Sequence, residues 1–168
     1  MKSRSIIIIL LAATTMGYSL TSSAEVCYDV SGSLISENIT PTLQIGNMGF
    51  ILSKDDEIVF SKSGSLVGNI TSSDATFGTT ILNHKAKFSR GDSFRTDGDM
   101  AQIVGVAGAE PDGTFCAFDI IEKITDIHKG TGMFKHVTSV DVTAVGTVSN
   151  CSYFNENSFS LSGTLCVE

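Results

Sequence analysis

Three polar residues near a glycine form the first group that could bind a metal ion. His128 and His136 flank Gly130, and Asp126 lies two residues before the first histidine. If the segments on either side of Gly130 pair as a hairpin, the two histidines and Asp126 could offer nitrogen and oxygen ligands to a metal ion. A metal site needs three or four converging ligands. We therefore favour a pair of exposed histidines on a hairpin, and we expect no cofactor.

Glu122 is the carboxylic acid that we single out as a candidate for catalysis. If residues 115–127 form a strand, it shares one strand face with three apolar residues, Phe118, Ile120 and Ile124. If that face lined a barrel, burial would raise the pKa of Glu122 and suit it to act as a general acid or base. The alternative, which we favour, is that Glu122 faces solvent or pairs with a lysine.

The other polar motifs do not form a catalytic set. His84 lies in the segment Ile81–Phe88 and is interpreted as a surface residue of a strand. Arg90-Gly91-Asp92 has the composition of a turn, and we favour this interpretation over the cell-adhesion role of that tripeptide. The chain has no Gly-x-Ser-x-Gly motif, no phosphate-binding loop and no His-Glu-x-x-His pair. Apart from the candidate Glu122, we predict no catalytic residue.

The elements that would position these residues are short strands. In the segment 26–34, Val26, Tyr28, Val30 and Leu34 alternate with polar residues, which is the pattern of a half-buried strand. Similar segments recur about every 8–12 residues between turn signals, and the chain has 16 Gly against 2 Pro. This pattern predicts an all-β fold, a single antiparallel β-barrel of about eight strands, with a β-sandwich as the alternative.

Two segments affect the details of this fold. Asp97-Gly98 is a dipeptide typical of hairpins and predicts one before the strand Met100–Val106. In residues 119–127 the isoleucines fall on one helical face, and Asp119 and Glu122 have the spacing of a capping pair. Four β-branched isoleucines in so short a segment favour a strand instead.

The four cysteines predict two disulfides. Their number is even, and none of them forms a Cys-x-x-Cys pair that would indicate a zinc site or a redox motif. The first and last strands become neighbours when a barrel closes. A hairpin around Gly130 with Ile127 opposite Thr138 brings residue 116 within two residues of 151. We therefore predict the pairs Cys27–Cys166 and Cys116–Cys151.

The first 24 residues predict a signal peptide, residues 1–24, followed by a single domain, residues 25–168. Lys2 and Arg4 precede the apolar run Ile6–Ala13, and Ser22-Ser23-Ala24 has the small residues of a cleavage site. The run is much shorter than the about 20 residues that span a bilayer, so we expect export to the periplasm or secretion and no integral membrane anchor. The 11 Lys and Arg against 18 Asp and Glu argue against binding to nucleic acid.

The C-terminal part of the chain carries a resemblance to a known family. The segment 129–134, Lys-Gly-Thr-Gly-Met-Phe, precedes a strand that contains Gly146-Thr147, and the chain closes with the Ser/Gly/Thr-rich segment 159–166. Residues 113–167 resemble bacterial exported proteins of the allene oxide cyclase-like barrel group, whose eight-stranded architecture dirigent proteins share. The segment 135–139 departs from the pattern, because it lacks the glycine that usually follows the phenylalanine.

The resemblance implies a fold rather than an activity, because the catalytic residues of plant allene oxide cyclases have no counterparts that we can place here. We expect an exported barrel of non-catalytic role that binds a small apolar ligand or a protein partner. The alternative is an isomerase or cyclase that acts on a lipid-like substrate in the lumen, with Glu122 as its acid or base. A third class of function that we consider is that of a structural protein, in which the lumen of the barrel is filled. The sequence makes no prediction about oligomeric state.

Overall fold

The computed structural model describes residues 24–168, and this part of the chain consists almost entirely of β-strands. Within the described residues the helical segments are two short 3-10 turns, Ser89–Gly91 and Gly132–Phe134, and turns and loops make the other connections. No helix within the described range is long and apolar enough to cross a membrane. The all-β prediction is confirmed, whereas the predicted signal peptide lies outside the described residues except for Ala24. The strands are β1 (Val26–Thr40), β2 (Leu43–Lys54), β3 (Glu57–Asp74), β4 (Thr79–Phe88), β5 (Ser93–Thr96), β6 (Asp99–Ala109), β7 (Phe115–Ile124), β8 (Ile127–Thr131), β9 (Val137–Ser149) and β10 (Glu156–Val167).

Eight of these strands close into a barrel through antiparallel pairs. The order around the ring is β3-β2-β1-β10-β9-β7-β6-β4, and the pairing of β3 with β4 closes it. The short strands β5 and β8 extend from the ring, because β5 pairs with β4 and β8 pairs with β5. The predicted antiparallel barrel of about eight strands is therefore confirmed, and the segment 119–124 is part of strand β7 rather than a helix.

Alternation along the strands fills the barrel with apolar side chains. In β10, for example, Phe159 and Leu161 are buried, while Ser158, Ser160 and Ser162 between and beside them are exposed. Five aromatic rings, which we call the phenylalanine cluster, occupy one end of the interior with centroids 5.0 to 6.1 Å apart. They are Phe50, Phe60, Phe88, Phe94 and Phe134.

The chain around Gly130 does not form the predicted hairpin. β8 pairs with β5, and the 3-10 turn Gly132–Phe134 then carries the buried Phe134 into the phenylalanine cluster. Strand β9 pairs with β7, in a register that places Ala117 rather than Cys116 opposite Ser149. The neighbouring strands were predicted correctly, but the register was wrong by one residue. The physical reason is that burying Phe134 requires a wider excursion of the chain than a tight turn provides.

Both disulfides are confirmed in the predicted pairing. Cys27 and Cys166 lie directly opposite each other on β1 and β10, and their sulfur atoms are bonded. Cys116 at the start of β7 is bonded to Cys151, which follows β9. The amide of Asn150 donates a hydrogen bond of 2.8 Å to the carbonyl oxygen of Cys116, so the pairing of the two strands continues to the second disulfide.

Candidate functional site

Three ionisable side chains meet inside the barrel and form what we call the interior triad. They are His84 of β4, Asp99 of β6 and Glu122 of β7, which come from three consecutive strands of the ring. Their side chains are only 7%, 0% and 7% exposed, respectively. Nδ1 of His84 lies 2.8 Å from Oδ2 of Asp99 and 3.3 Å from Oε1 of Glu122. Such a cluster is unusual in an otherwise apolar core, because buried charges are costly unless they are paired.

A β-bulge places two of the polar groups around His84. β5 and β6 pair one after the other with β4, at Lys85↔Arg95 and at Leu82↔Asp99. Between these pairs β4 has two residues and the opposing chain has three, so one residue is extra. The extra residue lies in Asp97-Gly98, where Gly98 has a φ of +75°. The predicted hairpin at this dipeptide is therefore wrong: the bulge turns both Thr96 and Asp99 inward.

Space for the imidazole of His84 comes from a glycine on the neighbouring strand. Gly68 of β3 lies opposite His84 in the register. A Cβ atom at Gly68 would lie 3.0 Å from Cδ2 and 3.0 Å from Nε2 of the imidazole. The site therefore depends on a residue that has no side chain of its own.

The hydrogen bonds of the triad leave two carboxylate oxygens without a partner. The amide of His84 donates to Oγ1 of Thr96 over 2.9 Å. The hydroxyl of Thr96 donates in turn to Oδ2 of Asp99, which is also hydrogen-bonded to Nδ1 of His84. Oδ1 of Asp99 and Oε1 of Glu122 are buried without a hydrogen-bond partner in the described part of the chain. An unpartnered buried carboxylate oxygen is costly, and each such group calls for an explanation.

Burial and the proximity of the three groups change their acid strengths. Burial raises the pKa of Glu122, although the nearby His84 acts in the opposite direction. For His84, burial by itself would lower the pKa, but the hydrogen bond to Asp99 and the attraction of Glu122 together raise it. Glu122 thus favours its neutral form and His84 its charged form compared with the same groups in water.

A cavity of about 220 Å³ opens next to the triad and has the Glu122 carboxyl group in its wall. It lies toward the opposite ends of β2, β3 and β4 from the phenylalanine cluster, because Gln44, Ile70 and Thr80 line it. Most of the other lining residues are apolar: Leu82, Ala101, Ile103, Phe118, Ile120, Val148 and Phe159, together with the polar Asn150. A second, much smaller cavity of about 20 Å³ touches His84, Thr96 and Glu122 from the other side.

The structure corrects two interpretations of single residues. Glu122 faces neither solvent nor a lysine; it is buried on the inner face of β7, as in the hypothesis that we did not favour. His84 is not a surface residue, because it follows the same alternation as Leu82 and Ala86, which are also buried. This alternation was visible in the sequence and could have placed His84 inside. Asp99 had no such signal, because only the bulge turns it inward.

The three residues proposed for a metal site near Gly130 do not come together. Asp126, His128 and His136 are all exposed. In the described range they do not form a group of three with ligand atoms within 4.8 Å of one another, whereas His84, Asp99 and Glu122 do. The reason is the missing hairpin: His128 lies on β8, which pairs with β5 and not with β9.

Arg90-Gly91-Asp92 forms a turn, as predicted. Arg90 and Gly91 both have positive φ angles, of 63° and 84°. The carboxylate of Asp92 points inward, where it pairs with the Lys62 ammonium and accepts a hydrogen bond of 2.9 Å from the Met133 amide. A buried and paired Asp92 is not presented to a receptor.

Comparison with known proteins gives no information about the chemistry of the site. No protein-family model, curated protein or solved structure matches the chain. We therefore infer the chemistry of the site from its residues: an apolar cavity with few polar groups, and a buried cluster of one imidazole and two carboxyl groups beside it.

Proposed function

We propose that this protein is an exported barrel that binds one small, mainly apolar molecule in the cavity of about 220 Å³. The observation that carries the proposal is the cavity itself, which is lined mainly by apolar side chains and has four polar residues in its wall. Ligand sites in proteins have this composition, and eight-stranded barrels can hold one small ligand. A cavity of about 150 Å³ is enough for benzene, so we expect a ligand of one ring or a short chain.

The polar groups in the wall indicate one hydrogen-bonding group on the ligand. Glu122, which is a member of the interior triad, contributes a carboxyl group, and Gln44, Thr80 and Asn150 contribute amide and hydroxyl groups. Few polar groups in an apolar pocket fix the orientation of a ligand more than they add to its affinity. The expected ligand is therefore an apolar molecule with a single carbonyl or hydroxyl group.

Export is part of the same proposal. The two disulfides are consistent with an oxidising compartment, where such bonds form and persist. The charged and apolar residues at the start of the chain support a signal peptide. We also propose kinship with the allene oxide cyclase-like barrel group, which the closed ring of eight strands supports.

Extraction of the purified native protein with organic solvent, followed by mass spectrometry, tests the proposal. We expect one small apolar molecule per chain. The variant Ala101→Leu adds bulk to the cavity wall, so it should lose this molecule. Gln102→Leu adds a similar apolar group to the exposed face of the same strand, so it should keep the molecule. Equal amounts of ligand in both variants would place the ligand elsewhere.

The same experiment separates the other two classes of function. If incubation of the extracted molecule with the protein converts it into an isomer, the protein is the isomerase or cyclase that we considered as the alternative. Glu122 would then be the ionisable group in contact with the substrate, because its carboxyl group lines the cavity. If the native protein and added small apolar probes give no bound ligand, the barrel is a structural protein.

A further inference from the structure

We propose that His84, Asp99 and Glu122 bind one divalent transition-metal ion, with Zn²⁺ as the best fit. This proposal goes beyond the binding of an apolar molecule and does not depend on which molecule occupies the cavity. Three observations carry it: the unpartnered carboxylate oxygens of the triad, the spacing of its ligand atoms and the space beside it.

The triad contains carboxylate oxygens that protein groups do not satisfy. Within the described residues the three side chains have no lysine or arginine partner. Oδ1 of Asp99 and Oε1 of Glu122 are also unpartnered, although their residues are only 1% and 5% exposed. A divalent cation bound by the three side chains would give Oε1 of Glu122 a partner, and it would do the same for Oδ1 of Asp99 if that carboxylate bound through both oxygens.

The spacing of the ligand atoms suits a metal ion. Zinc binds nitrogen and carboxylate oxygen at about 2.0–2.2 Å. Two such ligands lie about 3 Å apart when the angle between their bonds is near 90°, and about 3.4 Å apart at a tetrahedral angle. The observed separations from Nδ1 of His84 are 2.8 Å to Oδ2 of Asp99 and 3.3 Å to Oε1 of Glu122. The metal would replace the hydrogen-bonded proton on Nδ1 with only small movements of the side chains.

The small cavity beside the triad provides room. Its volume of about 20 Å³ exceeds the about 10–15 Å³ that a water molecule needs, and both His84 and Glu122 line it. Imidazole nitrogen with carboxylate oxygen is a donor set that zinc accepts, whereas magnesium and calcium prefer oxygen alone. Three protein ligands leave a coordination position open for water.

The test uses the mature protein with both disulfides intact, freed of metal with a chelator and then titrated with ZnCl₂. We expect one tightly bound zinc per chain by calorimetry and by elemental analysis after desalting, and much weaker binding of MgCl₂. Exposed histidines are the main source of unspecific zinc binding, so the double variant His128→Ala/His136→Ala is the first control. It should bind zinc as tightly as the natural sequence. Loss of the zinc in this variant would overturn the proposal, and so would failure of the natural sequence to bind zinc.

Two isosteric variants locate the site. Glu122→Gln and Asp99→Asn should each weaken zinc binding at least tenfold, because an amide is a poor zinc ligand. Asp119→Asn removes a carboxylate from the outer side of the same strand as Glu122 and should leave zinc affinity unchanged. Unchanged zinc affinity in Glu122→Gln would overturn the proposal.

Thermal unfolding tests the proposal without a measurement of the zinc affinity of each variant. Without metal, Glu122→Gln should unfold at a higher temperature than the natural sequence, because the buried carboxylate has been removed. With excess zinc the order should reverse, because only the natural sequence gains the stabilisation that ligand binding gives. If a proton or a water molecule, rather than a metal, satisfies the triad, zinc will not change the order, and the proposal fails.

Discussion

Asp92 shows at the scale of one residue how a turn is fixed to the barrel. Its carboxylate pairs with the ammonium of Lys62 on β3 and accepts a hydrogen bond from the Met133 amide. The hydrogen bond from Lys62, followed by that from Met133, holds the pKa of Asp92 below its ordinary value. One carboxylate therefore joins β3, the turn before β5 and the turn that carries Phe134.

We expect Asp92→Asn to reduce the free energy of unfolding at neutral pH by about 1–2 kcal/mol, the range for a partly screened charged hydrogen bond. Because the pKa of Asp92 is lowered in the folded state, its contribution is complete above the unfolded pKa of about 3.9. That contribution is lost as the pH falls through the lower folded value. Urea unfolding at several pH values should therefore show the two proteins converging in acid. Asp126→Asn, at an exposed position, should match the natural sequence, and a constant difference down to low pH would contradict this explanation.

At the scale of elements, the connection between β8 and β9 has the largest effect on the interior. The chain passes so close to itself there that a Cβ atom at Gly130 would lie 1.7 Å from the carbonyl oxygen of Phe134. This close approach lets the 3-10 turn fold back and bury Phe134 among the other rings. Position 130 requires glycine because the backbone of the neighbouring turn leaves no room for a Cβ atom. A positive φ is not the reason, because Gly130 does not have one.

We expect Gly130→Ala to destabilise the protein by about 1–3 kcal/mol, the usual cost of adding a group where none fits. Gly49→Ala is the matched control, because the nearest atom to a Cβ there lies at an ordinary distance of 3.6 Å. That variant should be neutral, or more stable by up to about 1 kcal/mol through the entropy of the unfolded chain. The midpoints of urea unfolding measure both changes. Equal midpoints for the two variants would show that the turn moves aside without cost.

The bulge at Asp97-Gly98 is the second element that decides the interior. A regular strand alternates its side chains, so Thr96 and Asp99, three residues apart, would point to opposite faces. The extra residue brings both to the inside, onto His84. The polar cluster therefore exists because of one inserted residue at the place where β5 ends and β6 begins.

At the scale of the whole molecule, the two disulfides close loops of very different size. Cys27–Cys166 joins the first and last strands across 139 residues, whereas Cys116–Cys151 spans 35. In the chain-entropy description they stabilise the fold by about 5 and about 4 kcal/mol, respectively. Because β1 lies beside β10 in the ring, the bond that closes the larger loop joins the first strand to the last.

We therefore expect the double variant Cys27→Ala/Cys166→Ala to lose more stability than Cys116→Ala/Cys151→Ala, by about 1 kcal/mol. Urea unfolding under non-reducing conditions measures the difference, and peptide mapping of the unreduced protein verifies which bond remains. The opposite order would mean that structure left in the unfolded chain, rather than loop length, determines what each bond contributes.

The two ends of the barrel differ in how closely they are packed. The phenylalanine cluster seals one end, and the cavity occupies the other, so the polar triad lies between packed rings and open space. Packing at the sealed end provides stability, which allows the other end to keep an unfilled volume.

The strands, the barrel and the two disulfides could be predicted from the amino-acid sequence. Period-two alternation specifies which face of a strand is buried, and closing a barrel makes neighbours of the first and last strands, so Cys27 meets Cys166. The candidate site, by contrast, could not be predicted without the three-dimensional structure. The contact of His84 with Asp99 depends on a one-residue bulge, and the separation of His128 from His136 depends on where Phe134 is buried. In a β-sheet a shift of one residue reverses the direction of a side chain, and whether it occurs is settled by packing across the whole barrel.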